Sequence, residues 1–529
     1  MPLSVVFASI LSLIGCTEAS KTVEFPDLPK IHETTQSIPP PEAQFTTKIL
    51  DFKIALTGDI RGEIEPCGCP TLSYGGFARR QTVLESYAQD TVFQLDAGEL
   101  LLKGFFANNG SDTQITQRAD VIGKLSLDIG VDAWAVGPSD LIAVGIEHLQ
   151  TMLAPKRISA TWVDANNEWL FAPYTIVEKN GISLGVIGLS AEITDPEFAN
   201  IIHNLPTIEA IQKTLEILPT DIDMVVLLGS VDDEEADAIA KEFPHLPIIL
   251  TTEGTTYQDP RQTNTQPLIV ESAKQGRFLE ILHLRIPQKQ PQHPLQMQIT
   301  QGLSEQEWRN WLLLQQMQRN KPDNSTSIPD TMLKWANHNL YFSELVPLSS
   351  AYDPTTENNS SLTIKSFAEA RVQQSKQIAE QPTTSMEPGF ASSGKCAQCH
   401  SKELAKWSYS KHARAWETLL QYNAKHNTED SPHYVEATKN PECVACHTTG
   451  FAQVGGFGEI STSNIRKFKA VQCESCHGPM RGHPQDTSVH SIPISPESCM
   501  GCHNEANSPE FDFSKYLPLA TCQSDSNVP

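Results

Sequence analysis

The chain has 529 residues, 39% of them hydrophobic and 19% charged, enough for two or three domains with buried cores. Its formal charge of −24 argues against nucleic acid or anionic membrane surfaces as partners, and favours cationic ones before the charges of any bound group are added. No long apolar stretch follows Ile14, which excludes a chain built of membrane-spanning helices.

Residues 1–16 hold an apolar run from Leu3 to Ile14, shorter than the ~20 residues a membrane span needs. It ends in Leu13-Ile14-Gly15-Cys16, and no Lys or Arg precedes it, unlike the usual export signal. The ending resembles the bacterial lipobox. That resemblance implies export, cleavage before Cys16 and acylation of its thiol, and Thr17 after it implies sorting to the outer membrane of a Gram-negative cell. At ~0.8 kcal/mol per buried CH₂, several acyl chains anchor a protein without a spanning helix. The alternative is an ordinary export signal in which Cys16 is incidental.

Residues 17–46 form a Pro/Thr/Gln-rich tether. Between 47 and 288, apolar strand candidates at Phe52–Leu56, Val92–Leu95, Ala133–Val136, Ile182–Leu189, Met224–Leu228 and Pro247–Leu250 alternate with amphipathic stretches. That alternation predicts an α/β domain whose site lies on loops at strand ends. Residues 289–390 read as a helical and polar connecting region. It opens in a Pro/Gln linker, and Ser304 and Glu307 form a capping box for a helix carrying Trp308 and Trp311. A second helix is expected near Ser366–Glu380.

Residues 391–529 carry four copies of Cys-x-x-Cys-His: Cys396/Cys399/His400, Cys443/Cys446/His447, Cys473/Cys476/His477 and Cys499/Cys502/His503. This spacing is the attachment signature of haem c, in which two thiols form thioethers and the adjacent His ligates the iron. Structural zinc also uses Cys-x-x-Cys pairs, but it has no reason to demand His after every one. The repeat therefore predicts four haem c groups and hence export, because haem c is attached outside the cytoplasm. Candidate second ligands are His412, His426, His433, His483 and His490, with Met480 and Met500 as weaker alternatives. His412 lies on a predicted helix from Glu403 to Leu420 that can fold back over a haem.

The run Cys443-Val-Ala-Cys-His-Thr-Thr-Gly450-Phe451, then Gly455-Gly456-Phe457, Val471-Gln-Cys-Glu-Ser-Cys-His-Gly478-Pro479 and His483 resembles the tetrahaem cytochrome c-554 family, as does the tail Pro509 to Tyr516. The resemblance spans about residues 394 to 520 and implies electron transfer between closely packed haems. It also implies His412 and His483 as distal ligands, and one haem that lacks a second ligand. Met480 stands where the family usually has Gly.

The α/β region carries, in order, Leu56-Thr-Gly-Asp59, Gly75-Gly-Phe-Ala-Arg79-Arg80, Leu95-Asp-Ala-Gly-Glu99, Phe171-Ala-Pro-Tyr174, Gly185-Val-Ile-Gly188 and Gln275-Gly-Arg277. In these stretches it resembles the metallophosphoesterase domain of bacterial 5′-nucleotidases and UDP-sugar hydrolases. The family's chemistry uses two divalent metals to clamp a phosphate and activate water. Most ligand positions differ here. Asp59 is kept, but Arg61 replaces a His and Glu99 replaces the bridging Asp. Gly137-Pro138-Ser139-Asp140 replaces Gly-Asn-His-Glu, and the later His ligands align with Gly229-Ser230 and Thr252-Glu253-Gly254. Asp59 and Glu99, with Asp140 and Glu253, are left as candidate ligands for one divalent cation such as Mg²⁺ or Ca²⁺.

Glu65-Pro-Cys67-Gly-Cys69-Pro70 lies at the mouth of that site. Some nucleotidase-like proteins carry such an insertion, with selenocysteine in some relatives, which implies thiol redox chemistry. Two thiols one Gly apart can form a reducible disulfide, bind a soft metal, attack a sulfur or carbonyl centre, or simply staple a turn. Arg61, Arg79 and Arg80 either favour the thiolate and an anionic substrate or act as salt-bridge partners. Cys522 has no assigned role.

The expected architecture is an α/β metallophosphoesterase-like layered sandwich followed by a mainly α, loop-rich multihaem domain. Three functions follow from it. The first is a periplasmic, lipid-anchored tetrahaem electron-transfer protein whose hydrolase site is lost or converted, with Cys67 and Cys69 exchanging electrons with the haems and with redox partner proteins outside the cytoplasm. The second is a metal-dependent phosphoesterase acting through Asp59 and Glu99. The third makes the α/β domain a docking module.

Overall fold

The computed structural model describes residues 48–66, 73–101, 112–252, 258–262, 267–288, 298–319, 335, 338–381, 389–426, 436–486, 488, 491–503, 508 and 510–520. Cys16, Cys67, Cys69, Glu253, His433, His490 and Cys522 lie outside them, and of His426 only the backbone is described. Among the described residues no helix is long and apolar enough to cross a membrane.

Two sheets form the centre of the α/β part. The strands are β1 (Lys48–Thr57), β2 (Val92–Asp96), β3 (Ala133–Ala135), β4 (Lys156–Ile158), β5 (Trp162–Val163), β6 (Tyr174–Lys179), β7 (Ile182–Leu189), β8 (His203–Asn204), β9 (Met224–Gly229), β10 (Ile248–Thr251), β11 (Leu268–Glu271), β12 (Phe278–Gln288), β13 (Gln301–Gly302) and β14 (Leu340–Pro347). One sheet has the order β13-β14-β12-β1-β2-β3-β4 and the other β11-β10-β9-β7-β6. Alternation along the strands decides which side chains meet. Leu50, Phe52, Ile54 and Leu56 of β1 share one core with Leu184 and Val186 of β7 and Val226 and Leu228 of β9. The intervening Ile187, Val225 and Leu227 face outward into a separate helix-covered cluster. β9 is apolar and buried at every position, as a parallel strand covered on both faces must be.

Helices cover both outer faces. α1 (Phe77–Glu85), α2 (Asp112–Asp128) and α3 (Pro138–Thr151) belong with the first sheet, and α4 (Thr207–Ile217) and α5 (Asp233–Glu242) with the second. The result is the layered α/β sandwich that the sequence predicts. The segment 289–390 does more than connect, because β14 pairs antiparallel with β12 and α6 (Glu305–Arg319) packs Trp308 and Trp311 beside Leu340. The Ser304–Glu307 capping box is present, with Glu307 Oε2 accepting from Ser304 N at 2.8 Å. The expected second helix starts earlier, as α7 (Asn359–Ala379), where the Asn358 side chain caps Ser361 N at 2.9 Å.

The region with the Cys-x-x-Cys-His motifs is made of short helices and loops. These are α8 (Ser393–Cys396), α9 (Ser401–Ser408), α10 (Ala415–His426), α11 (Pro441–His447), α12 (Thr462–Phe468), α13 (Cys473–His477), α14 (Pro496–Met500) and α15 (Phe513–Ala520). A small core of Phe390, Trp416, Leu419, Val444, Phe457 and Phe468 holds it. The predicted continuous helix Glu403–Leu420 is broken: α9 stops at Ser408, a 3₁₀ turn spans His412–Arg414, and α10 starts at Ala415. Serine hydroxyls account for the break, since Ser408 Oγ donates to Ala405 O at 2.6 Å and Ser410 Oγ accepts from Ala413 N at 3.2 Å.

Candidate functional site

Each haem motif sits on one helical turn. At the first, His400 N donates to Cys396 O at 2.9 Å, and at the fourth His503 N donates to Cys499 O at 2.9 Å. Residues three and four apart on such a turn share a face, so both thiols and the imidazole present together. Pro441 and Pro496 open their helices where a missing N–H costs nothing, and Asn440 caps Glu442 N at 2.9 Å. The eight motif cysteines are outside any disulfide, as thioether formation requires.

Spacing assigns all eight cysteines one role, and the structure does not set them alike. Cys399 is the one that departs. Cys399 lies just past the end of α8, in the turn where its N–H donates to Cys396 O at 3.2 Å, and its side chain is exposed. Cys476 lies inside α13 and is half-buried. Thiols meet between motifs: hydrogen bonding with Cys473 brings Cys396 down to about 7, and hydrogen bonding with Cys446 lowers Cys502. The first and third motifs thus touch through Cys396 and Cys473. The physical reason is that a Cys-x-x-Cys turn only sets both thiols on one face, whereas packing of the short helices decides which sulfur comes into contact.

Two histidines are oriented by a bond on the ring nitrogen away from the metal position. His447 Nδ1 lies 2.6 Å from Ala415 O, and His503 Nδ1 lies 2.9 Å from Ser508 Oγ. A carbonyl only accepts, so His447 donates through Nδ1 and keeps the Nε2 lone pair for a ligand. Burial holds His447 and His503 below the ordinary imidazole range. His412 and His477 are lowered first by burial and then by a neighbouring imidazole, His503 and His400 respectively. Neutral imidazole is the form that binds metal.

Two imidazole pairs test whether these residues fit haem. The rings of His400 and His483 have centroids 6.2 Å apart, and those of His412 and His503 are 6.0 Å apart. Two imidazoles on opposite sides of one metal, each with a metal–nitrogen bond of about 2 Å, place their centroids about 6 Å apart. The residues fit. The structure thus brings His412 and His483, two of the five histidines named as candidate second ligands, each to a motif histidine distant in sequence. His433 and His490 are outside the described residues.

The second motif packs on the α/β part. Asn440 Nδ2 donates to Glu65, Arg118 of α2 pairs with Glu442, and Arg118 Nε donates to Gly62 O at 2.8 Å. The half-buried Tyr422 hydrogen-bonds the Ser73 side chain, and burial raises its pKa. Glu65 and Ser73 flank the segment that holds Cys67 and Cys69. Sequence separation hides all four contacts, and only the position of Glu442 next to Cys443 is a local sign.

At the strand ends, Asp59, Arg61 and Glu99 all adopt positive φ, at 51°, 49° and 58°. Non-glycine residues in this region signal a constrained site. The cation beside Asp59 is a guanidinium, with Arg61 Nε 2.5 Å from Asp59 Oδ1. Glu99 accepts from Ser139 N at 3.1 Å and from Ser230 Oγ at 3.5 Å. Asp140 accepts from Leu100 N, Leu101 N and Gly137 N at 2.7 to 2.8 Å. Burial and then the Glu99 carboxylate push Asp140 above the ordinary range, against those donors.

Ser230 and Thr252, aligned with two expected His ligands, are buried hydroxyls, and Ser272 Oγ donates to Thr252 Oγ1 at 2.8 Å. Among the described residues no three His, Cys, Asp or Glu side chains converge on a metal position. This donor set does not fit a two-metal hydrolase centre. Arg79 is a salt-bridge partner, and Arg80 is buried with no hydrogen-bond partner on its guanidinium among the described residues. Arg79 Nε binds Asp353 at 2.7 Å, and Arg80 lies buried over the Phe77 ring, its pKa lowered to about 10 by burial, with Asp96 opposing.

Residues 395–478 match the family model for cytochrome c554 and c-prime. A stretch of 100 residues, 18% of this chain, is 35% identical to cytochrome c-554 of Nitrosomonas europaea and covers 41% of that protein. A second stretch of 130 residues, 23% of this chain, is 31% identical to the 5′-nucleotidase of Vibrio cholerae and covers 23% of it. The chain therefore spans less than half the length of either relative. Among solved structures, a 5′-nucleotidase precursor from Thermus thermophilus aligns over 62% of this chain and 61% of its own, at 16% identity and a TM-score of 0.43. The chain joins a 5′-nucleotidase-like α/β domain to a C-terminal region similar to cytochrome c-554, a likeness that implies haem c.

Proposed function

We propose that this chain is an exported c-type cytochrome, anchored to the outer membrane through acylated Cys16, that carries four haems and passes electrons between redox partner proteins of the periplasm. The observation that carries this reading is the pairing of His400 with His483 and of His412 with His503 at the separation two axial imidazoles require. His400, His447, His477 and His503 are the proximal ligands. His483 serves the haem of His400, His412 serves the haem of His503, and His433 and His490 are the candidates for the other two. Bound haem supplies one-electron chemistry, while these residues set its position and potential.

The α/β domain, on this reading, no longer hydrolyses phosphoesters, and Cys67 and Cys69 exchange electrons with the haems. Oxidising this pair to a disulfide breaks two S–H bonds and forms one S–S bond. The two protons would go to solvent, and bound haem would supply the acceptors, one electron to each of two irons. Support comes from Glu65 and Ser73, which border the thiol segment and bond to Asn440 and Tyr422 beside the second motif.

The test compares purified holoprotein with Cys67→Ser/Cys69→Ser. Haem content of four per chain, and slower haem reduction by a dithiol in the variant, are the expected results. Unchanged rates would remove the thiols from the pathway, and a lower haem content would remove the four-haem assignment.

A further inference from the structure

Side chains that follow the fourth motif fold back onto its histidine. His503 closes the turn that α14 opens, and the chain returns to it at Ser508, Phe511 and Tyr516. The Phe511 ring lies face to face on the His503 imidazole, with centroids 4.8 Å apart and planes 15° apart. Tyr516 of α15 meets the same imidazole at 6.0 Å and meets Phe511 edge-on at 5.1 Å, so the three rings close a triangle. Backbone groups hold this shape: Phe511 N donates to Ser508 O at 2.9 Å, and Asp512 Oδ1 accepts from Ser514 N at 2.9 Å where α15 starts. Ser508 Oγ stands 2.9 Å from His503 Nδ1. A stacked ring resists rotation of the imidazole, and a partner at Nδ1 fixes its tautomer and orientation. The clamped ring stands at 61° to the plane of His412, whereas His400 and His483 lie at 26° to each other.

We propose that Phe511 and Ser508 are positioning residues for the fourth haem, holding the His503 imidazole crossed against His412 and so setting that haem apart from the haem of His400. An imidazole donates π density to the iron d orbital perpendicular to its plane. Parallel rings therefore act on one orbital and crossed rings on two, a difference read directly in the g values of ferric haem. With Nε2 on the metal, Nδ1 carries the proton and Ser508 Oγ accepts it, which makes His503 the stronger donor and favours ferric iron. Neither Phe511 nor Ser508 ligates the iron, and the inference rests on haem attachment at Cys499 and Cys502 with His503 and His412 as axial ligands.

The experiment is electron paramagnetic resonance and potentiometric titration of the full-length holoprotein, with haem content measured for every variant. Phe511→Leu keeps apolar bulk but removes the flat face, and should shift the g values of one low-spin signal while the others stay in place. Phe511→Tyr should restore the native signal. Ser508→Ala should move the transition of the same haem to higher potential, by up to tenfold in its oxidised-to-reduced ratio, about 59 mV for one electron. Equal shifts in Phe511→Leu and Phe511→Tyr would reduce the contact to one of bulk and overturn the proposal. Unchanged spectra and potentials in variants of full haem content would overturn it too, and would leave the axial ligands as assigned. Cys499→Ala/Cys502→Ala identifies the signal by its loss. If that variant loses no haem, attachment at the fourth motif falls and takes this proposal with it.

Discussion

His412 and His503 face each other with ring centroids 6.0 Å apart, although one sits in a 3₁₀ turn after the first motif and the other closes the fourth. Burial holds both imidazoles neutral, and Ser508 engages the second nitrogen of His503. His412→Ala should therefore convert one haem, the one on Cys499 and Cys502, from six-coordinate low spin to high spin. Electron paramagnetic resonance would show one low-spin signal lost and a high-spin signal gained. An unchanged spectrum would give His412 another role.

The guanidinium of Arg61 at Asp59 makes hydrolysis the activity to look for and not find. Nucleotides, UDP-sugars and a nitrophenyl phosphate diester with Mn²⁺, Zn²⁺ or Mg²⁺ should be cleaved no faster by the native protein than by Asp59→Ala. Metal-dependent turnover abolished by that substitution would show that the site still assembles a hydrolytic metal centre.

Phe457 is buried against Trp416 at a ring separation of 5.6 Å in the small core of the haem region. Truncating a buried phenylalanine costs about 3–5 kcal/mol. Phe457→Ala should lower the unfolding free energy of that region by this order, seen as a lower denaturant midpoint at the Soret band, while Tyr409→Ala on the exposed surface should leave it unchanged.

The His283 ring nitrogen, 3.3 Å from Glu344 Oε2, leads the causes that lower the Glu344 pKa below its ordinary value. A carboxyl with a depressed folded pKa contributes stability that is present above its unfolded pKa and is lost as pH falls through the folded one. Stability should thus drop in acid below about pH 4.3, the ordinary Glu value. Glu344→Gln should flatten that part of the profile, as followed by thermal unfolding against pH. Equal acid slopes in the two proteins would remove the pair from the acid response.

Much of the haem chemistry was legible because it is local. A Cys-x-x-Cys-His turn is complete within five residues, so spacing alone carries its meaning. What spacing does not carry is the setting of each thiol, and so the exposure of Cys399 beside seven half-buried motif cysteines emerges only with the packing of the helices. The strands were legible for a related reason: runs such as Met224–Gly229 cannot be solvated and must pair. The helix expected through Tyr409 was misread because serine side chains compete for backbone groups, which apolar periodicity does not register. Of the two roles open to Arg79 and Arg80, the fold gives Arg79 a salt bridge to Asp353 and buries Arg80 without a hydrogen-bond partner among the described residues.

By itself the sequence determined the Cys-x-x-Cys-His motifs, the alternating α/β pattern, which residues stand at the strand ends and the presence of the Cys67/Cys69 pair. Only the tertiary structure decided which imidazole meets which, that Arg61 neutralises Asp59 directly, and that Arg118 pairs with Glu442. The division follows the range of the forces. Covalent spacing and backbone pairing are written in neighbouring residues, whereas imidazole pairing and the balance of buried charge depend on side chains that chain folding alone brings together.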